Sequence, residues 1–290
     1  MATSITHVIE AAYQAQLRKI LETSGYEFKD HQYAFWRAAK QGSTVIFYTS
    51  GKLVLQGSRS GEVNDLLSEQ GVIQPPEKRH TAQRWIGIDE SGKGDYFGPL
   101  VVAAVMVEAD QLPILAKMGV RDSKTLSETS IISIAEEIIV TCSMALELFV
   151  PAEYNTLYAK ISNLNTLLAK GHAKVLEDLL EKKQCDYAIS DQFANPAVVQ
   201  KELQALGKNI KLEQRHYAED DPAVACASIM ARYVFVNEMR AMGKRFDMTF
   251  PKGASSQVVS AGKKFVWKYG ANRLNEVAKL HFKTTEKIIH

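Results

Sequence analysis

The fold class this sequence predicts is α/β: a mixed sheet flanked by helices, preceded by a small α+β unit. Three observations carry that expectation. From Arg84 onward, apolar strand-like runs interleave with helical ones, the pattern of a sheet covered by helices. Before residue 70, short runs rich in β-branched and aromatic residues lie between turn signals, which suits a small antiparallel sheet. Between them stands "GVIQPPEKRHTAQ", residues 71–83, whose Pro-Pro pair breaks helix and strand alike. The expected division is residues 1–70, a linker at 71–83, and a larger domain at 84–290 ending in a basic helical region.

The elements follow in order. Residues 7–22, "HVIEAAYQAQLRKILE", place Val8, Ala12, Tyr13, Leu17, Ile20 and Leu21 at helical spacing. "YAFWRAA", "TVIFYTS" and "KLVLQG" read as strands, with Gly42-Ser43 and Ser50-Gly51 as turns, and "GEVNDLLSEQG" as a closing helix. In the larger domain, "RWIGID", "PLVVAAVMV", "SMALELFV" and "CDYAISD" are strands, the second apolar enough to be buried on both faces. "SETSIISIAEEII" is a helix capped by Ser127, and "NLNTLLAKGHAKVLEDLLEKK" is a long amphipathic one. Asn195-Pro196 and Asp221-Pro222 each open a helix with a capping side chain and a first-turn proline.

Composition narrows the class. The 290 residues are 46% apolar and 23% charged, the balance of a globular protein with ample core, and no apolar run approaches the ~20 residues of a membrane span. The N-terminus lacks the basic start and apolar stretch of a secretory signal. Three scattered cysteines, with no C-x-x-C pair, argue against disulfides and structural zinc. A cytoplasmic monomer without membrane attachment is expected. Charge is uneven: residues 81–231 carry 14 basic and 21 acidic side chains, whereas 232–290 carry 12 basic and 4 acidic. Such a split fits solvated faces that pair with each other, and also a basic flank gripping a polyanion beside an acidic centre that holds cations.

The stretch "GIDESGKGDYFGPLVVAAV", residues 87–105, begins like a phosphate-binding loop, G-x-x-x-x-G-K-[ST]. Position 94, however, is Gly rather than Ser or Thr, and Gly98-Pro99 followed by valines makes a second strand where that loop requires a helix. What remains is a carboxylate pair, Asp89-Glu90, at the end of a buried strand. Adjacent strand residues face opposite ways, so convergence on one ion requires a bend, which Gly92 and Gly94 would ease. Capping of a turn accounts for such a pair equally well. A second acidic strand end, Asp191 in "AISDQFANP", and a third cluster, Glu219-Asp220-Asp221, tip the reading toward a metal site. Helix capping explains one member of that cluster but not three elements ending in carboxylates. Hard oxygen ligands suit Mg2+ or Mn2+, and two such ions ~3.5–4 Å apart can activate water for phosphodiester cleavage.

"GIDESGKGDYFGPLVVAAV", "GVRDSKTLS", "AISDQFANP", "AVACASIMARYVFVNEM", and "FPKGA" with "KLHFKTT" resemble bacterial ribonuclease HIII and, more distantly, ribonuclease HII. The resemblance runs in order from about residue 84 to 285, and "GSTVIFYTSGKLVLQG" extends it into the N-terminal unit. It implies a ribonuclease H-like fold, with an N-terminal substrate-binding domain similar to the TATA-binding protein. The implied activity is endonucleolytic cleavage of the RNA strand of RNA–DNA hybrids, leaving 5′-phosphate and 3′-hydroxyl ends. Catalytic and metal-binding positions carry over onto Asp89, Glu90, Asp191 and Glu219, with Asp220 as the rival to Glu219. Two ions, Mg2+ or Mn2+, are implied as cofactors.

The resemblance also places Gly92, Lys93 and Gly94 at the ribose 2′-hydroxyl, and Ser123 and Lys124 near substrate phosphates. Lys252, with Lys263, Lys264 and Lys268, is read as a phosphate-binding basic flank. His216 and His281 are expected to be packed or surface residues. Among Tyr33, Phe35, Trp36, Phe47 and Tyr48, at least half are expected in the core rather than on bases. Two alternatives stand beside this reading: a ribonuclease HII that nicks at single embedded ribonucleotides, and a non-catalytic nucleic-acid-binding protein. A nucleotide hydrolase ranks behind both.

Overall fold

In the computed structural model, which describes residues 3–73, 80–216 and 218–290, two five-stranded sheets organise the chain. The first is built from β1 (Thr3–Val8), β2 (Glu27–Lys29), β3 (Ala34–Lys40), β4 (Ser43–Tyr48) and β5 (Lys52–Gly57), all antiparallel in the order β1-β5-β4-β3-β2. Helices α1 (Gln14–Thr23) and α2 (Ser60–Glu69) contribute Leu17, Leu21, Val63 and Leu67 to a core shared with Val45, Phe47, Leu53 and Leu55. The helix expected over residues 7–22 starts only after a strand and a short turn. β1 pairs with the free edge of β5 and buries Ile5, because the β-branched "TSITHV" satisfies that edge better than a helical turn would. Trp36 and Phe47 are core residues, Phe35 packs on Phe47, and Tyr33 is 77% exposed.

Of the expected linker, residues 74–79 lie outside the described residues. Its flanks are packed: Val72 and Ile73 are buried in the first core, and His80 lies against Trp85 and Tyr187.

The second sheet comprises β6 (Arg84–Ser91), β7 (Leu100–Glu108), β8 (Ser143–Phe149), β9 (Tyr187–Asp191) and β10 (Lys211–Arg215) in the order β10-β9-β6-β7-β8. β6, β7 and β8 are antiparallel neighbours, while β9 runs parallel to both β6 and β10. The helices are α3 (Leu112–Met118), α4 (Glu128–Thr141), α5 (Pro151–Ile161), α6 (Leu164–Lys182), α7 (Pro196–Glu202), α8 (Pro222–Arg245), α9 (Ser256–Tyr269) and α10 (Thr284–Ile289). Ser127, Asn195 and Asp221 cap α4, α7 and α8 with their side chains, as expected.

Strand alternation splits the core. Trp85 and Ile189 face α8 and α4, whereas Ile86, Ile88 and Ala188 face α6. The first turns of α8, Pro222–Ala231, are buried throughout, as befits a helix apolar on all sides. β2, β10, α3 and α5 were not anticipated; β10 is "KLEQR", a polar edge strand of the kind that resists edge pairing and carries little apolar signal. Among the described residues, no helix is long and apolar enough to cross a membrane.

Candidate active site

Gly87 determines how the site is assembled. A Cβ there would lie 2.0 Å from the Ala223 carbonyl carbon and 2.1 Å from Val224 N, so only glycine lets the start of α8 press onto β6. That approach brings the turn preceding α8, residues Ala218–Asp220, to the ends of β6 and β9. The three acids of the third cluster then do three different things. Asp221 caps α8 through Ala223 N and accepts from Trp85 Nε1, both at 2.9 Å. Asp220 turns outward into an ion pair with Arg215. Glu219, 7% exposed, turns inward.

By the alternation that places Trp85 on the α8 face, Asp89 lies on that face, and Asp191 lies there with Ile189. Asp89 accepts from Glu90 N at 2.8 Å and from the Ser228 hydroxyl of α8, while Asp191 accepts from Ala218 N at 3.2 Å. Burial, reinforced by the charges of Glu90 and Glu219, pushes the Asp89 carboxyl well above its ordinary range. Burial and the Glu219 charge likewise raise Asp191. Glu219 thus repels both aspartates, and the Glu90 charge adds to the effect on each.

Glu90 behaves differently. The ladder to β7 stays in register through Ser91, so β6 does not bend between the two acids. Glu90 therefore projects to the α6 face, where His172 Nε2 lies 3.0 Å from Oε2 and Lys93 Nζ lies 2.9 Å from Oε1. Burial opposes the Glu90 charge, yet these two partners outweigh it and bring its pKa down to about 2.

Around the acids, the turn after β6 is tightly fixed. Gly92 has φ +88° and no room for a side chain against the Pro99 carbonyl, 2.2 Å from a built Cβ; Gly94 opens onto free space. Lys279, fully buried, donates to the carbonyls of Asp95 and Gly98 at 2.8 and 2.7 Å, and burial pushes its ammonium down to about 7. Gly98 N and Lys279 N add bonds to Val277 and Tyr96.

The other anticipated positions fall in distinct places. Lys124 Nζ contacts Glu219 Oε1 at 2.5 Å. Ser123, read as lying near substrate phosphates, is buried and shares a 2.8 Å hydrogen bond with Ser228, which in turn supports Asp89. Lys252 pairs with Glu128 at 2.6 Å and lines a cleft of about 690 Å3 with Lys124, Arg232, Gln257 and, from α2, Ser60 and Gly61. His281 stacks on Tyr158 with ring centroids 4.1 Å apart, and His216 is exposed. His172 was not singled out from the sequence. Its signal, a Gly-His pair on the buried face of the long helix, shows only once the sheet supplies its partners.

Among the described residues, no three His, Cys, Asp or Glu side chains close into a ligand cage; the ammonium groups of Lys93 and Lys124 stand on Glu90 and Glu219 instead. The donor set is oxygen-only and in excess of negative charge, which fits hard divalent cations.

Comparison with known proteins identifies the family. The model of the ribonuclease HII family matches residues 86–285. Ribonuclease HIII of Protochlamydia amoebophila is 40% identical over 94% of this chain and 93% of its own. That of Chlamydia caviae is 36% identical over 99% and 98%. Among solved structures, Bst-RNase HIII in complex with Mn2+ aligns with a TM-score of 0.70 at 27% identity over 99% of this chain and 98% of its own. Aquifex aeolicus RNase H3 aligns with a TM-score of 0.58 at 25% identity, over 96% and 100%. The chain belongs to the ribonuclease HII family, as a member of its ribonuclease HIII branch.

Proposed function

We propose that this protein is an endonuclease that hydrolyses the RNA strand of RNA–DNA hybrids, with Asp89, Glu90, Asp191 and Glu219 holding two Mg2+ or Mn2+ ions. The observation that carries the proposal is that Asp89 and Asp191 end adjacent parallel strands beside Glu219, where burial and the charges of Glu90 and Glu219 raise the pKa of both aspartates. Proteins of similar sequence are ribonucleases HIII, and Bst-RNase HIII was crystallised with Mn2+. When bound, divalent ions supply water activation and stabilisation of the leaving oxygen. Asp89, Asp191, Glu90 and Glu219 would hold the ions. In hydrolysis, water adds to the phosphorus and gives up a proton to solvent as the bond to the 3′-oxygen breaks, and that oxygen takes a proton from solvent, giving 5′-phosphate and 3′-hydroxyl ends.

The backbone N–H groups of Gly92, Lys93 and Gly94 face the ribose 2′-hydroxyl, the group that separates RNA from DNA. Lys124 and Lys252 line the cleft beside α2 and take substrate phosphates. In this reading residues 1–70 are a substrate-binding domain joined through 71–83 to the catalytic domain at 84–290, and the protein works as a cytoplasmic monomer. The test is cleavage of a hybrid with a continuous RNA tract against a duplex holding one ribonucleotide, with Asp89→Asn and Asp191→Asn as controls. Metal-dependent cleavage of the tract, lost in both variants, is expected. Preference for the single ribonucleotide would move the protein to ribonuclease HII-type nicking. Metal-independent binding without cleavage would make it a non-catalytic binder.

A further inference from the structure

We propose that His172 is a positioning residue that holds Glu90 in its metal-binding orientation from the α6 face of the sheet; this rests on the reading of Glu90 as a metal ligand. The packing of α6 makes the contact possible. A Cβ on Gly171 would lie 2.8 Å from Val102 Cγ2 and 3.2 Å from the Phe149 ring. The glycine therefore lets α6 lie close against β7, and the next residue reaches the strand ends.

There the imidazole ties two site strands together. His172 is fully buried, with Nε2 3.0 Å from Glu90 Oε2 and Nδ1 3.1 Å from Ser190 Oγ. Ser190 Oγ in turn donates its one hydrogen to the Asp191 carbonyl at 3.0 Å. One ring nitrogen thus acts on Glu90, and the other acts through a hydroxyl on the backbone that carries Asp191. Phe193 covers the ring at 4.8 Å between centroids. A carboxylate accepts hydrogen bonds only, so with Glu90 ionised the proton of that contact sits on Nε2.

The two oxygens of Glu90 consequently differ. Oε2 is held by a buried ring packed on all sides, whereas Oε1 is held by Lys93, whose side chain is 43% exposed. Oε1 is thus the oxygen that a cation could take in exchange for Lys93, with Oε2 left on the histidine. Ligating carboxylates elsewhere depend on such outer hydrogen bonds, and removing them typically weakens metal affinity 10–100-fold.

The experiment is calorimetric titration of Mn2+ into the full-length, metal-free protein without substrate, for His172→Ala, His172→Gln and His172→Asn. The Gln amide reaches the Nε2 position and the Asn amide only the Nδ1 position. We expect about tenfold weaker Mn2+ binding or more for His172→Ala and His172→Asn, with most affinity recovered in His172→Gln. The KM for hybrid should stay within about twofold while kcat falls, since the ring does not touch substrate. Wild-type Mn2+ affinity in His172→Ala, or no advantage of Gln over Asn, would overturn the proposal and leave the ring a core filler. If the Ala variant does not fold, the Gln–Asn comparison decides. Asp89→Asn in the same titration isolates the underlying reading: undiminished Mn2+ binding there discredits the carboxylate site itself, whatever His172 does.

Discussion

The two faces of one sheet end treat their acids in opposite ways. On the α8 face, burial and the charges of Glu90 and Glu219 push Asp89 and Asp191 toward the neutral form. On the α6 face, Glu90 is supplied with His172 and Lys93 and held ionised. Farther along that face, Glu177 shows what a purely structural buried acid looks like. Its two oxygens accept from the backbone N–H groups of Gln204, Leu206 and Gly207 at 2.8–3.1 Å, which pins the segment after α7. The contrast is with Asp89 and Asp191, buried acids that burial and neighbouring carboxylates push up rather than satisfy, the pattern common at functional sites.

The largest expected effect falls on the crowded face. Asp89→Asn should cut hybrid cleavage at least about a thousandfold, some 4 kcal/mol of lost transition-state stabilisation. The same variant should melt higher than wild type without metal, because a neutral amide relieves the repulsion. A lower melting temperature in calorimetry would break the contrast between the faces. Glu219→Gln should follow Asp89→Asn in activity. Asp220→Asn should stay within about 0.5 kcal/mol of wild type in both stability and turnover, the ordinary range for a surface substitution. If steady-state kinetics reverse that order, the inward acid has been misassigned.

Gly87→Ala tests the packing that assembles the crowded face. Its methyl meets α8 backbone at 2.0 Å, so a loss of about 3 kcal/mol in denaturant unfolding is expected, the upper end for overpacking. Reduced kcat should accompany it as Glu219 moves away.

The smallest effect is a pH dependence of the metal-free protein. Asp89 and Asp191 have raised folded-state pKa values, so the native state takes up protons first, and stability rises as pH falls from neutral toward their unfolded value near 3.8. Glu90 works the other way: its stabilisation is complete above 4.5 and disappears as pH falls toward about 2. Urea unfolding in chelator should therefore show a maximum on the acid side of neutrality, and Asp89→Asn should flatten the neutral-to-acid rise.

Much of this site could be read before any coordinates. Asp89, Glu90 and Asp191 were visible as acids terminating apolar strands, and the strand-to-strand turn at 92–99 was visible from Gly98-Pro99. The bend expected to bring Asp89 and Glu90 together does not exist, because the β6–β7 ladder continues through both; the acids meet the site from opposite faces instead. Asp220 and Glu219 could not be separated in the sequence, since the Arg215 side chain that pairs with Asp220 comes from β10, itself an unread polar edge strand. β1 carries little apolar signal, Ile5 and Val8 alone, and its last two residues open the spacing read as a helix. His172 had no local signal, because its partners lie 82 and 18 residues away and converge only through sheet register.

That Asp89 and Asp191 share one face with Glu219 as a cation site is tested most directly by anomalous scattering. A crystal of the full-length protein soaked in Mn2+ should show a peak touching carboxylate oxygens of both Asp89 and Asp191, with the Lys124 ammonium moved off Glu219. Mn2+ peaks elsewhere, with none between those two aspartates, would contradict it.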